Sequence, residues 1–268
     1  MPTPKPATIA NELFGKLADV IALGRVMDAG SPDYFDMRRK VRDLEHVSAS
    51  EGLVARAAMY AVSGNPQAFL PIAADVLRAG SDLDRLYLVG YALVLGERPF
   101  ARRLLAAVDM DSPDEYTRKI SLSVGLLDIR AMERAIAAAQ AAGLDLSGLW
   151  SHIVSGSGLG AFMNRAQREG YTTAVLDLMQ DVAAKAAIRA GILLSLPGVF
   201  RFDDQDGDLA LSFDLPVGLE KAFEIERHID EISEGIVDFP HTRAVIAIHA
   251  RDAAPESSPE RSYDDVTA

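Results

Sequence analysis

The sequence predicts a mainly α protein: an antiparallel helical-hairpin solenoid over residues 8–196, followed by a small C-terminal ββαβ (α+β) module over 197–251. Three observations predict it. Helix-capping signals recur at a step of 15–17 residues from Ser31 to Ser112. The segments between them carry apolar residues at helical spacing. After Pro197 the apolar period shortens to two around an Asp-Gly turn.

The caps carry most of this reading. A helix leaves its first amides and last carbonyls unpaired. Ser or Asn oxygen accepts from the early amides, proline at the first helical position loses no bond, and glycine past the end suits a left-handed turn. Such marks stand at Ser31-Pro32-Asp33, Asn65-Pro66 and Ser81-Asp82-Leu83-Asp84. They recur at Glu97-Arg98-Pro99 and Ser112-Pro113-Asp114-Glu115. Ser48-Ala49-Ser50-Glu51 adds a capping-box pattern. Gly30, Gly64, Gly80, Gly96 and Gly143 close segments. Helices this short, joined by turns of two or three residues, must fold back on their neighbours.

The segments themselves are amphipathic. Leu53, Val54, Ala57, Ala58, Tyr60 and Ala61 form one apolar set, and Phe69, Ile72, Ala73, Val76 and Leu77 another. Leu83 to Leu95 is apolar on nearly every side, the pattern of a covered helix. Tyr60-Ala61-Val62 to Phe69 aligns with Tyr91-Ala92-Leu93 to Phe100 at an offset of 31. A period near 32 built of two helices marks a helical solenoid. Residues 48–143 resemble degenerate tetratricopeptide (TPR) hairpins. Tyr60 stands four before Gly64, and Ala101 five after Gly96, where that family places a tyrosine and a small residue. No tryptophan opens these repeats and no proline closes them. The resemblance implies a partner-binding surface on the inner helices at Val54, Ala58, Ala61, Leu86, Gly90, Leu93, Arg118 and Leu122. That surface is mainly apolar with a cationic edge, suited to a short apolar peptide or an amphipathic helix.

Beyond the repeats, Leu144 to Gly170 holds the single tryptophan, Trp150, and the run Ser155-Gly156-Ser157-Gly158-Leu159-Gly160. Alternating glycines can cradle an anion, but neither the Lys-Ser/Thr of a P-loop nor a βαβ pattern accompanies them. Residues 171–196 resume helical character. Val199–Phe202 and Leu209–Phe213 flank the acidic turn as a β-hairpin. That turn is no EF-hand loop: with Gly207 sixth, Phe202 and Phe213 occupy the first and twelfth positions. Leu219 to Ile236 reads as an acidic amphipathic helix and Arg243 to Ala250 as a third strand. Residues 1–7 are expected to be flexible and 252–268, rich in Pro and Ser, disordered.

Composition narrows the function classes. The 268 residues, 49% of them hydrophobic, permit a sizeable core. No cysteine is present, which excludes disulfides, thiolate metal sites and a Cys nucleophile. No secretory pattern opens the chain, and the longest apolar stretch, Ala190 to Phe200, is too short to span a bilayer and contains Pro197. A cytoplasmic protein without membrane insertion is expected. The net charge of −12 is concentrated in residues 201–268, which hold 17 acids and 6 bases. Such a block repels nucleic acid and suits a basic protein partner.

No chemistry-bearing constellation stands out. Of His46, His152, His228, His241 and His249, no two show the i, i+4 spacing of a helical zinc site, and no nucleophile motif accompanies them. Neither metal nor cofactor is expected. The sequence therefore reads first as a protein–protein interaction module: an adaptor, chaperone or assembly factor holding a partner on the helical stack. The alternative is an enzyme or small-ligand sensor with a site between the stack and the C-terminal module, using the Gly156–Gly160 turn with His241 or His249. Homo-oligomerisation through an exposed strand edge of the hairpin is a third possibility.

Overall fold

The capping residues fall where the sequence places them. In the computed structural model, residues 6–109, 112–145, 158–194, 198–203 and 206–251 are described. Eight helices open this part of the chain: α1 (Pro6–Ala22), α2 (Pro32–Val47), α3 (Ala49–Val62), α4 (Pro66–Ala79), α5 (Asp82–Val94), α6 (Arg98–Ala106), α7 (Pro113–Gly125) and α8 (Ile129–Ala141). Ser31, Asn65 and Ser81 accept from the amides of Tyr34, Ala68 and Asp84. Ser81–Asp84 and Ser112–Glu115 form reciprocal capping boxes. The box expected at Ser48–Glu51 is not made. Ser48 is the lone residue between α2 and α3; it ends one helix through its amide, bonded to Leu44, and starts the next. Gly80 is extended rather than left-handed. A Cβ there would stand 2.7 Å from Val76, so close approach, not a turn angle, requires the glycine.

Consecutive helices pack as hairpins, with α3 against α4, α5 against α6 and α7 against α8. The first helices also touch in series, so α1, α3, α5 and α7 form one row. The hairpin turns share one geometry. The amides of Asn65, Glu97 and Asp128 each donate at 2.9 Å to the carbonyls of Tyr60, Ala92 and Ser123. The residue before each donor is left-handed: Gly64, Gly96 and then Leu127, at φ 54°. This is the wrap of a helix C-terminus in which the sixth amide returns to the first carbonyl. The structural counterpart of Tyr60 is thus Ala92. The two turns are offset by 32 residues, one more than the Tyr60–Tyr91 alignment gives.

Two further helices follow, α9 (Gly158–Arg168) and α10 (Thr173–Arg189). α10 runs across the hairpin turns. Beyond its end, the Gly191 carbonyl accepts from Val26 and the Leu193 amide donates to Gly24, joining the α1–α2 turn. A Cβ on Gly64 would stand 2.7 Å from Ile188, and one on Gly96 would stand 2.8 Å from the Asp181 carbonyl oxygen. Arg102 bridges Asp177 to the Leu126 carbonyl in the third turn. Successive turns therefore meet α10 seven and then four residues apart, at Ile188, Asp181 and Asp177, a mean step of about 5.5. At roughly 1.5 Å per residue this is ~8 Å, the spacing of packed helices.

The chain ends in β1 (Val199–Phe202), β2 (Leu209–Leu215), α11 (Leu219–Ser233) and β3 (Ala244–Ala250). β1 and β2 are antiparallel, β2 and β3 parallel, in the order β1-β2-β3. The strand, helix, strand connection through α11 supplies the length a parallel pair needs. Leu209, Leu211, Phe213, Ile246 and Ile248 point into a core shared with Ile225 and Ile229 of α11 and with Leu176, Met179 and Ala183 of α10. Phe162 of α9 stacks on Phe200 at 5.3 Å. A separate core joins α1 to α6, from Leu13 and Leu17 to Leu104. No helix among the described residues is long and apolar enough to cross a membrane. The expected flexible N-terminus lies outside the described residues as far as residue 5, and α1 already begins at Pro6. The tail 252–268, Trp150 and Ser155–Ser157 lie outside them too.

Candidate functional site

The eight residues expected to bind a partner divide into two groups. Val54, Ala58, Ala61 and Leu86 are buried to 1% exposure or less. Gly90, Leu93, Arg118 and Leu122 are partly exposed. Three of the four buried residues lie on α3, whose side chains include Ala55, Ala57, Ala58 and Ala61, all fully buried, and the fourth, Leu86, lies on α5. With so little bulk on α3, its neighbours reach each other: Phe14 of α1 stacks on Tyr87 of α5 with centroids 5.6 Å apart. The Arg118 guanidinium of α7 lies 4.1 Å over the same Tyr87 ring, a cation–π contact. The first-helix row is thus closed at α3 and at Leu86 of α5, and keeps partial exposure at Gly90 and Leu93 of α5 and at Arg118 and Leu122 of α7.

The open part has a defined shape. Leu86, Gly90 and Leu93 share a stripe of α5, and Arg118, Leu122 and Gly125 share one of α7. A Cβ on Gly90 would meet nothing within 4 Å, so the glycine leaves a notch. A Cβ on Gly125 would meet Leu93 at 3.6 Å, which places Leu93 across the gap between the two helices. Leu83, one turn before, is 45% exposed. The surface is apolar with one cation at its edge.

A second polar assembly, which the sequence reading missed, lies where α6 meets α10. Arg98 donates from Nη1 to Asp181 at 3.0 Å and from Nη2 to Gln180 at 2.7 Å. Arg102 donates to both Asp177 oxygens, at 2.8 and 2.9 Å. Arg98 and Arg102 are four apart on one helix, Asp177 and Asp181 four apart on the other, and they pair in antiparallel order. Burial pulls the Arg98 guanidinium below its usual range, against the opposing pull of Asp181. Burial pushes the Asp181 carboxyl up, with Arg98 resisting. Arg98 Nε and Gln180 Nε2 are buried without a hydrogen bond. Two i, i+4 pairs of opposite sign were visible in the sequence, but nothing there aligned positions 75 to 83 residues apart.

Beside this seam is a cleft of about 800 Å³ between the start of α8 and the α9–α10 turn, lined by Arg102, Leu127, Arg130, Gln167 and Thr172 among others. None of the described histidines lines it. His241 lines a separate hollow of about 470 Å³ beside Arg201 and Asp208. His249 is exposed and lies opposite Asp214 on β2. His228 bonds Glu231 at 3.0 Å. Among the described residues no group of three or more His, Asp or Glu side chains is placed to hold a metal ion. Of the glycine run, Gly158 to Gly160 form the first turn of α9. Comparison of the chain with protein-family models, curated proteins and solved structures finds no match.

Proposed function

We propose that this chain is a protein–protein interaction module, an adaptor or assembly factor of degenerate TPR-like design. It holds an amphipathic helix or short apolar segment of a partner between α5 and α7. The observation that carries the reading is the open apolar stripe of Gly90, Leu93 and Leu122 beside Arg118. Apolar side chains left partly exposed on adjoining helices, with a glycine notch between them, provide the pocket that an anchoring side chain fills. Arg118 stacks on Tyr87 and still has its edge donors for a carboxylate or a helix C-terminus. Val54, Ala58, Ala61 and Leu86 support this surface from beneath. The test is a Leu93→Glu, Leu122→Glu variant, checked for native circular dichroism, in co-purification from the native cell with mass spectrometry. Loss of partners recovered with the parent chain is expected; unchanged recovery would sink the reading.

The cleft beside Arg102 and Arg130 favours a second reading, a sensor of a small polar ligand. Leu127 on its wall holds a left-handed backbone angle that non-glycine residues rarely adopt, and such strain gathers at functional sites. A thermal-shift screen with nucleotides and metabolite anions separates the readings. A shift abolished by Arg130→Ala would support the sensor.

A further inference from the structure

The C-terminal module has an unfinished edge. Among the described residues, the order β1-β2-β3 gives β3 a neighbour on one side only. Its pairing with β2 is marked at the two ends by Leu209 donating to the Arg243 carbonyl at 2.9 Å and Arg251 donating to Leu215 at 2.8 Å. Alternation along a strand then turns the amides of Ala244, Ile246, Ile248 and Ala250 away from β2. The Ala244 amide is taken by the Pro240 carbonyl at 2.9 Å, and that of Ile248 by the Glu226 carboxylate of α11 at 3.1 Å. Ile246 and Ala250 make no such bond among the described residues.

The flank of α11 above that edge is equally unfinished. Its other flank is tied to α10, through Lys221 to the Ala190 carbonyl at 3.2 Å and Glu231 to Arg189 at 3.9 Å. At about 100° per residue, Leu219, Phe223 and Glu226 fall on the opposite flank, towards the free edge of β3. The Glu226–Ile248 bond fixes that side independently. Leu219 is 68% and Phe223 65% exposed, so two large apolar side chains stand, by helical angle, on the flank whose Glu226 carboxylate reaches the strand edge. On the other face of the sheet Val245 is 57% exposed.

We infer that β3 is a docking edge for an extended segment of a partner protein, alternating apolar and basic, which adds as a fourth strand. Its basic side chains would fall on the α11 face, one of them against Glu226, with their aliphatic stems along Leu219 and Phe223. Its apolar side chains, on the other face, would meet Val245. Main-chain bonds to Ile246 and Ala250 would hold the register.

Charge and sequence select this occupant over the alternatives. The segment 219–234 has six acidic and two basic side chains, a field that favours a cationic strand. A second copy fits poorly. β3 carries no lysine or arginine, and a symmetric β3 pair would bring two Glu226 carboxylates towards one axis. The chain's own continuation past Arg251 has Pro255 and Pro259, which cannot donate within a ladder. The site is separate from the α5–α7 surface, and neither inference depends on the other.

The experiment uses the full chain and two fluorescent nonapeptides, one alternating lysine with valine and one alternating glutamate with valine, read by anisotropy. The lysine peptide is expected to bind at least about tenfold more tightly, because like charge across an interface is strongly disfavoured. It should also slow hydrogen exchange at Ile246 and Ala250. Glu226→Lys is expected to reverse the preference between the peptides. Phe223→Ser, at an exposed position, should weaken the lysine peptide about tenfold without altering the sign of the preference. Equal affinities, absence of binding by either peptide at millimolar concentration, or protection elsewhere in the chain would overturn the inference. So would a peptide-free dimer, seen by sedimentation, that protects the same two amides.

Discussion

Arg102 of α6 grips Asp177 of α10 with two parallel hydrogen bonds, and the same guanidinium reaches the Leu126 carbonyl in the turn between α7 and α8. One side chain thus joins three elements distant in sequence. Arg102→Ala is expected to cost about 3 kcal/mol in urea denaturation, since it strands a largely buried carboxylate. Replacing the pair together, Arg102→Met with Asp177→Leu, is expected to cost much less, because no lone charge is left behind. Equal losses for the single and double variants would show that geometry, not charge, dominates the seam.

Two glycines of the α5–α6 hairpin are expected to respond in opposite directions. Gly96→Ala places a methyl 2.8 Å from the Asp181 carbonyl oxygen at a left-handed φ of 68°. A loss of about 2–3 kcal/mol is expected from strain and overpacking together. Gly90→Ala meets nothing within 4 Å inside a helix, so a gain of about 0.5–1 kcal/mol is expected. The same methyl fills the notch proposed to receive a partner, so tighter folding should come with weaker partner recovery.

Tyr91 sets an alkaline limit. Burial pushes its hydroxyl from 10.0 up to about 12. A folded-state pKa above the unfolded value gives a contribution fully present below pH 10 and lost as pH rises towards 12. At about 1.4 kcal/mol per pH unit the loss approaches ~3 kcal/mol. Tyrosinate absorbance should therefore show Tyr91 ionising late, towards pH 12. Tyr91→Phe is expected to move the alkaline midpoint upward while leaving behaviour at pH 6–8 unchanged by this linkage.

Hydrogen exchange should rank the elements by core membership. α10 belongs to the large core under the sheet and also touches the hairpin turns, so its central amides are expected to exchange slowest. α7 and α8 share a cluster whose fully buried members are Ile120, Ala135 and Ala139. Their outer turns are expected to open first. Faster exchange in α10 than in α8 would contradict this order.

What the sequence disclosed is what local chemistry controls. Ser31, Asn65, Ser81 and Ser112 cap their helices because a side-chain oxygen three residues from an amide needs no tertiary context. The strand period around Asp-Gly gave the hairpin for the same reason. At Ser48 the local signal failed, since one residue had to serve two helices. Of the expected partner surface, Val54, Ala58 and Ala61 could not be distinguished from Leu93 and Leu122 by spacing, because all lie on apolar stripes. Contacts between residues far apart in sequence, such as the Phe14–Tyr87 stack across α3, separate those buried residues from the partly exposed ones. The course of α10 across the turns was illegible for that reason too: its period marks a helix but not what the helix touches.

Helical arrays usually grow or shrink by whole repeats, since each repeat touches only its neighbours. Here α10 takes that freedom away. Its 17 residues offer a fixed run of stations, at Ile188, at Asp181 to Ala184 and at Asp177, each already matched to one turn. An inserted hairpin would find no station, and a deleted one would leave a station facing solvent and shift every later turn out of step. The helix counts the hairpins, and duplication, the usual route by which such proteins diversify, is closed to this chain unless α10 lengthens by about five or six residues at the same time.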